Sequence, residues 1–348
     1  MIAAGGEVRR IPMMFCRILM LITGLGMGSA IAQDLNISHQ FHAQDDSRGQ
    51  AAQIFATEVV RRSPELKINI HPQLSMGFTR DEQLEALQTG TLDFSVLPFF
   101  VPSKKIPEFS VALLPGLVPD LAAARALKAS IVHAKLQDIA ADNGLRIVTW
   151  WWMPGGFALA APRAVNPISL SGLKFQTCGL MQNVLVAAGA QLGDEPISEI
   201  PMLLDMGALD GVAVPYEEFV ALRLHEHAML GTFGGRFLVA CFTPMLMSKK
   251  TWDRLSQKQR QAIEEAATVS DAYFENAQIE IEARGIEEFK TAGLEVRNLT
   301  DEELTDWCNL ARQTVWHRYS ETNALSSELM RTAIKVIHTR ASPNEAQP

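Results

Sequence analysis

Leu35-Asn36-Ile37-Ser38-His39, then Asp45-Asp46-Ser47, then Ala51, Ile54, Phe55 and Val59, then Leu66 to Ile70: residues 35–70, read in this order, decide the fold. The first run alternates apolar and polar residues at the period of a strand. The acidic pair and Ser47 supply helix caps, and the apolar stripe that follows has helical spacing. Leu66 to Ile70 reads as a second strand. Thr79-x-x-Glu82 is a capping box for the next helix, Gly90 is its stop, and Leu92 to Leu97 forms a third strand. These are βαβ units, which imply a mostly parallel sheet covered by helices on both faces.

Working outward, Pro119-Asp120 opens an Ala-rich helix expected to end at Asn143-Gly144. Two strand-like runs follow, Leu145 to Trp152 and Phe157 to Ala161, then Leu173 to Thr177 feeding a helix that closes near Gly189. A second α/β unit forms here. Leu209 to Pro215 reads as a buried strand, and the apolar run Phe237 to Met247 is long enough to cross between two domains. Ser256-x-x-Gln259 caps a helix that runs to about Lys290, far above the usual length, and Thr300-x-x-Glu303 caps another through Trp307 and Trp316.

The chain has 348 residues, 47% of them hydrophobic, which at roughly 100–200 residues per domain suggests two domains. Its net charge of -8 argues against a nucleic-acid partner, which would need a basic face. Arg9, Arg10 and Arg17 precede an uncharged stretch from Ile18 to Ala32 that ends in Ala30-Ile31-Ala32, the pattern of a cleaved signal peptide. Export to the periplasm is the expectation. Three cysteines remain in the mature chain, Cys178, Cys241 and Cys308, outside any CxxC pair, and they read as small packing residues.

Catalytic motifs are missing. There is no GxSxG elbow, no HExxH and no phosphate loop. His39 and His42 are three apart with no third ligand in view, and the same holds for His225 and His227, two apart in a Leu-His-Glu-His-Ala run, so no metal or other cofactor is expected.

From Leu35 to Tyr319 the order of short motifs resembles the solute-binding proteins of tripartite ATP-independent periplasmic (TRAP) transporters, DctP-like family. The motifs are Phe55-Ala56-x-Glu58-Val59-Val60, Leu87-Gln88-x-Gly90-x-Leu92-Asp93, Leu113-Leu114-Pro115-Gly116 and Gly172-Leu173-Lys174-Phe175. Gly189-Ala190, Ser198-Glu199, Leu209-Asp210-Gly211 with Pro215, and Ser248-Lys249-x-x-Trp252-Asp253-x-Leu255-Ser256 complete the series. The resemblance implies an α/β, two-domain clamshell of Rossmann-like domains, crossing strands and a long hinge helix. It also implies that the chain closes on one small organic solute and delivers it to the membrane permease subunits. A monomer is expected. The corresponding division is a signal peptide over 1–32, a first lobe over 33–153 and a second over 154–240. A crossover at 241–255 returns to the first lobe, hinge and C-terminal helices occupy 256–341, and a polar tail fills 342–348.

The sequence departs from the family pattern at the implied pocket. The arginine that usually forks onto a ligand carboxylate, two residues after the Gly-x-Lys lysine, is Gln176. A second pocket arginine, after Gly156-Phe157, is Ala158, and the asparagine of Asp-Gly-Gln-Glu-Asn-Pro is Val214. Glutamine offers one neutral amide where arginine offers a charged planar fork, so a dicarboxylate fits poorly. Lys174, on the same strand face as Gln176, is an alternative cation. With these changes, Gln40, Phe78, Phe99, Trp152, Ala158, Gln176, Val214 and Tyr216 are the expected ligand contacts, favouring a more neutral or apolar solute. Glu217 and Glu218 leave a cationic one open. The alternatives to transport are a periplasmic sensor or scaffold, or an enzyme.

Overall fold

Asp46 accepts a hydrogen bond from the Arg48 N–H and so starts helix α1 (Ser47–Arg62) directly after strand β1 (Gln33–His39). Strand β2 (Leu66–His71) lies parallel to β1 on one side. Helix α2 (Arg80–Thr89) has both bonds of its Thr79–Glu82 capping box and stops at Gly90, whose φ of 82° is the left-handed cap that glycine adopts without strain. Strand β3 (Phe94–Val96) then lies parallel to β1 on its other side. The computed structural model describes residues 33–340, so the expected signal peptide over 1–32 and the tail over 342–348 lie outside the described residues.

The Ala-rich helix expected up to Asn143 is two helices, α3 (Leu121–Lys128) and α4 (Ile131–Asp142). Ser130 breaks it: its hydroxyl accepts from the Val132 N–H at 3.1 Å and caps α4, a bond that competes with helix continuation. Ser130→Ala is expected to lower stability by about 1 kcal/mol, read as a reduced urea midpoint at unchanged m. An unmoved midpoint would rule out this role.

The two strand runs expected next are one strand, β4 (Leu145–Leu159). Its partner changes part-way. Residues up to Pro154 pair antiparallel with β9 (Ala240–Ser248), and from Gly155 onward β4 pairs with β7 (Gly211–Pro215). Pro154, which has no N–H for a ladder, stands where one partner hands over to the next. A Cβ on Gly156 would lie 2.1 Å from the Thr232 carbonyl oxygen, and one on Gly155 2.4 Å from that of Val214, so only glycine permits the approach.

Around β4 the order is β2-β1-β3-β9-β4-β7-β5-β6, with β5 at Lys174–Thr177 and β6 at Gln191–Leu192. Strand β8 (Leu230–Thr232) pairs with β4 and carries β10 (Glu295–Arg297). The sheet is therefore mixed: parallel toward both ends, antiparallel in the middle, because β4 and β9 run against their neighbours on each side.

Helices α5 (Met181–Ala187) and α6 (Ile200–Asp205) accompany β5 and β6, and α7 (Tyr216–Ala221) follows β7 directly. After the short α8 (Lys249–Arg254) comes α9 (Gln257–Thr291), 35 residues long and started by the Ser256–Gln259 capping box. At 1.5 Å per residue it spans about 50 Å. Near its middle Phe274 stacks on Trp151 of β4 at 5.1 Å, and at its far end Phe289 packs edge-on to Phe233 at 5.4 Å. One helix thus buttresses both parts of the sheet. The Thr300 helix is α10 (Asp301–Ala311); a π-turn at Arg312–Trp316 separates it from α11 (His317–Thr322), and α12 (Ala324–Arg340) ends the described chain.

Candidate functional site

Close to the strand crossover, the first turn of α1 meets the first turn of α7, residues 170 apart in sequence. The Ser47 N–H donates to Glu217 at 3.0 Å and its hydroxyl donates to the same carboxylate. Gln278 of α9 donates to Ser47 Oγ at 3.0 Å and to Glu217 Oε2 at 3.3 Å. Beside them Arg48 holds Asp46 with two nitrogens, at 2.8 and 2.6 Å, and reaches Glu218 at 3.2 Å. Its guanidinium lies over the Phe41 ring, 4.0 Å from the centroid, with Met153 of β4 beneath.

These charges are scarcely in contact with water. The side chains of Arg48, Asp46 and Glu218 are 10%, 14% and 14% exposed. Burial raises the Glu218 carboxyl to a pKa of about 6 even though Arg48 opposes the shift. For Arg48 burial works the other way, but Asp46 and Glu218 outweigh it and hold the guanidinium protonated. His39, at the end of β1, is fully buried and its pKa falls to about 4. Its Nδ1 accepts the Phe41 N–H at 3.2 Å, which fixes the neutral tautomer, and Nε2 has no partner. Beside the seam opens a cavity of about 590 Å³ whose lining includes Asp45, Glu217, Glu280 and Tyr273. The two arginines at its rim pair with Glu226 and Glu288.

A second polar centre surrounds Gln176. Its amide donates to the Glu195 carbonyl at 2.5 Å, and its own oxygen is buried without a partner, as is Glu195 Oε2. A Cβ built on Gly193 would lie 2.6 Å from the first oxygen and 2.7 Å from the second, so two unsatisfied acceptors converge on one point. Lys174 does not stand free as an alternative cation: its Nζ pairs with Glu195 at 3.1 Å.

The other expected contacts divide between core and surface. Phe99 is fully buried, edge-on to Trp150 at 5.6 Å. Ala158 and Val214 are buried in the β4–β7 ladder. Tyr216 is 1% exposed, stacks on Phe233 at 4.9 Å and donates to the Thr232 carbonyl at 3.2 Å. Trp152 packs against Phe237 but leaves its indole N–H without a partner, while Gln40 and Phe78 are half-buried. Sequence reasoning passed over Arg48. The available signal was a cation in the first turn of a helix, where it opposes the macrodipole and needs acidic company.

Residues 37–322 match the family of bacterial extracellular solute-binding proteins, family 7 (DctP). The chain belongs to this family. A solute-binding protein of Albidiferax ferrireducens is 29% identical over 307 residues, covering 86% of this chain and 90% of that one. The sialic acid-binding periplasmic protein SiaP of Vibrio cholerae is 24% identical over 238 residues, 67% and 72% of the two chains. Among solved structures, a TRAP periplasmic solute-binding protein from Rhodoferax ferrireducens with bound malonate superposes with a TM-score of 0.81 at 27% identity, covering 89% of this chain and all of that one. This family 7 member therefore has the two-domain α/β clamshell fold and the role of a solute receptor in a TRAP transporter.

Proposed function

We propose that this TRAP receptor takes a small solute rich in hydrogen-bond donors, neutral or cationic, instead of a dicarboxylate. One observation carries the reading: both cations at the two polar centres already have carboxylate partners, Arg48 in Asp46 and Glu218, Lys174 in Glu195. A ligand carboxylate would have to displace one of these pairs or be buried uncompensated, at a cost of several kcal/mol. A donor group meets the opposite situation. Gln176 and Glu195 offer unsatisfied acceptors at one centre, and Glu217 and Glu280 line the cavity beside the other. Trp152, Phe78 and Gln40 supply apolar surface and polar edges around such a solute.

In this reading residues 33–153 and 154–240 are lobes that close on the solute, with 241–255 and the long helix as hinge. A monomer, exported by cleavage near residue 32, then presents the closed form to the permease. The test is a thermal-shift and calorimetry panel of amines, polyols, malonate and succinate. A donor-rich ligand at about 100 times its Kd should stabilise the protein by about 2.7 kcal/mol, and the dicarboxylates should not. Micromolar binding of malonate or succinate would overturn the proposal.

A further inference from the structure

Three thiols are free among the described residues: Cys178, Cys241 and Cys308. Read from sequence they are packing residues, but two of them stand together. Cys178 is the first residue after β5, and Cys241 is the second residue of β9, opposite Met153 of β4. Their Sγ atoms lie 3.9 Å apart. A disulfide needs about 2.05 Å, a difference that side-chain rotation and a small backbone adjustment can close. Both side chains are partly exposed, in a crevice lined also by Pro115, Gly179 and Leu238.

The pair straddles the place where β4 changes partner. Cys241 belongs to the β3-β9-β4 part of the sheet, whereas Cys178 continues a strand that pairs with β7 and β6. The next residue, Gly179, lies against Phe100 of the first part, where an added Cβ would sit 3.9 Å from the phenylalanine Cβ. We propose that Cys178 and Cys241 form an intramolecular disulfide in oxidising surroundings, and that this bond fastens the two parts of the sheet together and holds the clamshell closed. The closing effect rests on the reading of two moving lobes; the bond itself does not.

The oxidant is a second disulfide, either a small molecule RSSR or the active-site disulfide of an oxidoreductase. The Cys241 thiol is held above its usual pKa by its hydrogen bond to Cys178, by burial and by the charge of Glu218, and either thiol can open the exchange as its thiolate. With Cys178 first, its thiolate displaces RS⁻ from RSSR and forms a mixed disulfide. The Cys241 sulfur then attacks Cys178 Sγ and displaces the second RS⁻. The two cysteine protons end on two RSH. The protein loses two electrons and the external disulfide gains them.

The test uses the full chain, exported and purified without reductant, then exposed to oxidised or reduced glutathione and labelled with a maleimide in denaturant. Oxidation is expected to abolish labelling of Cys178 and Cys241 together, to yield one peptide pair joined through them, and to leave Cys308 fully labelled. Cys178→Ser should keep Cys241 reactive, and Cys241→Ser should keep Cys178 reactive. By small-angle scattering without ligand, the oxidised protein should be more compact than the reduced one, a difference absent from the double Cys178→Ser, Cys241→Ser variant. Continued labelling of both cysteines after oxidation would overturn the bond. Formation of the bond with identical scattering in both states would overturn the closing effect.

Discussion

Replacing Arg48 with methionine is expected to lower the free energy of unfolding by about 3–5 kcal/mol at pH 8, because it leaves buried carboxylates without their cation. Methionine preserves much of the apolar stem over Phe41, so the loss reports charge more than packing. Asp46 and Glu218 both lose their partner, and Glu217 stands on the next residue of the same helical turn. The loss should shrink on acidification. In the variant the Glu218 carboxyl, already raised to about 6 beside Arg48, titrates higher still and is neutral at pH 5.5. Arg48→Lys should recover part of the difference, since an ammonium supplies the charge but not the fork that spans Asp46 and Glu218. Urea unfolding of the three proteins at pH 8 and 5.5 decides it; a penalty below about 1 kcal/mol, or one independent of pH, is incompatible with a buried charge pair.

Acid is expected to destabilise the protein well above the range where ordinary carboxylates titrate. His39 is neutral in the folded chain down to a pKa of about 4, against 6.5 for the free side chain, because burial disfavours its charged form. Between those values the unfolded chain binds more protons than the folded one, so stability is complete above pH 6.5 and is lost as the pH falls toward 4. A shift of this size corresponds to about 3 kcal/mol. His133, half-buried beside Trp150 at 5.3 Å and facing Lys128 and Arg146, is lowered to about 4 by the same cause and adds a loss of the same sign. Glu218 acts in the opposite direction. Its folded pKa of about 6 lies above the ordinary 4.5, so the folded chain binds the extra proton and stability rises by roughly 2 kcal/mol as the pH falls through that window. Two histidines against one carboxylate leave a net loss. His39→Asn, whose amide oxygen can accept the Phe41 N–H, should flatten the curve of stability against pH between 6.5 and 4. An unchanged curve, or an NMR titration of His39 near 6.5, would contradict the assignment.

The parts of the molecule legible in the sequence are those whose physics is local. Asp46, Thr79, Ser256 and Thr300 cap helices through bonds to residues two or three places away, and the pattern alone finds them. The seam is different. Arg48 matters because of Glu218, and Ser47 because of Glu217 and Gln278, and no short window holds both members of any pair. The aromatic residues are harder for another reason: Phe99 lies in a turn after β3 and Tyr216 opens α7, where strand alternation does not say which way a side chain faces, and both are buried in the core. Gln176 stands out in the sequence by its place in the family pattern, but its bond to the Glu195 carbonyl depends on a loop that composition does not describe.

The position of β9 has a consequence for how the chain is made. It lies between β3 and β4, yet it is synthesised after every strand of the other half of the sheet except β10. A nascent chain ending before Ala240 therefore holds β1, β2 and β3 on one side of a missing strand and β4 on the other, each with an unsatisfied edge. The N-terminal half cannot finish folding first. It must wait for a strand that begins about 80 residues after β4 ends, a long-range closure that makes for slow folding and keeps the early chain open while the rest is produced.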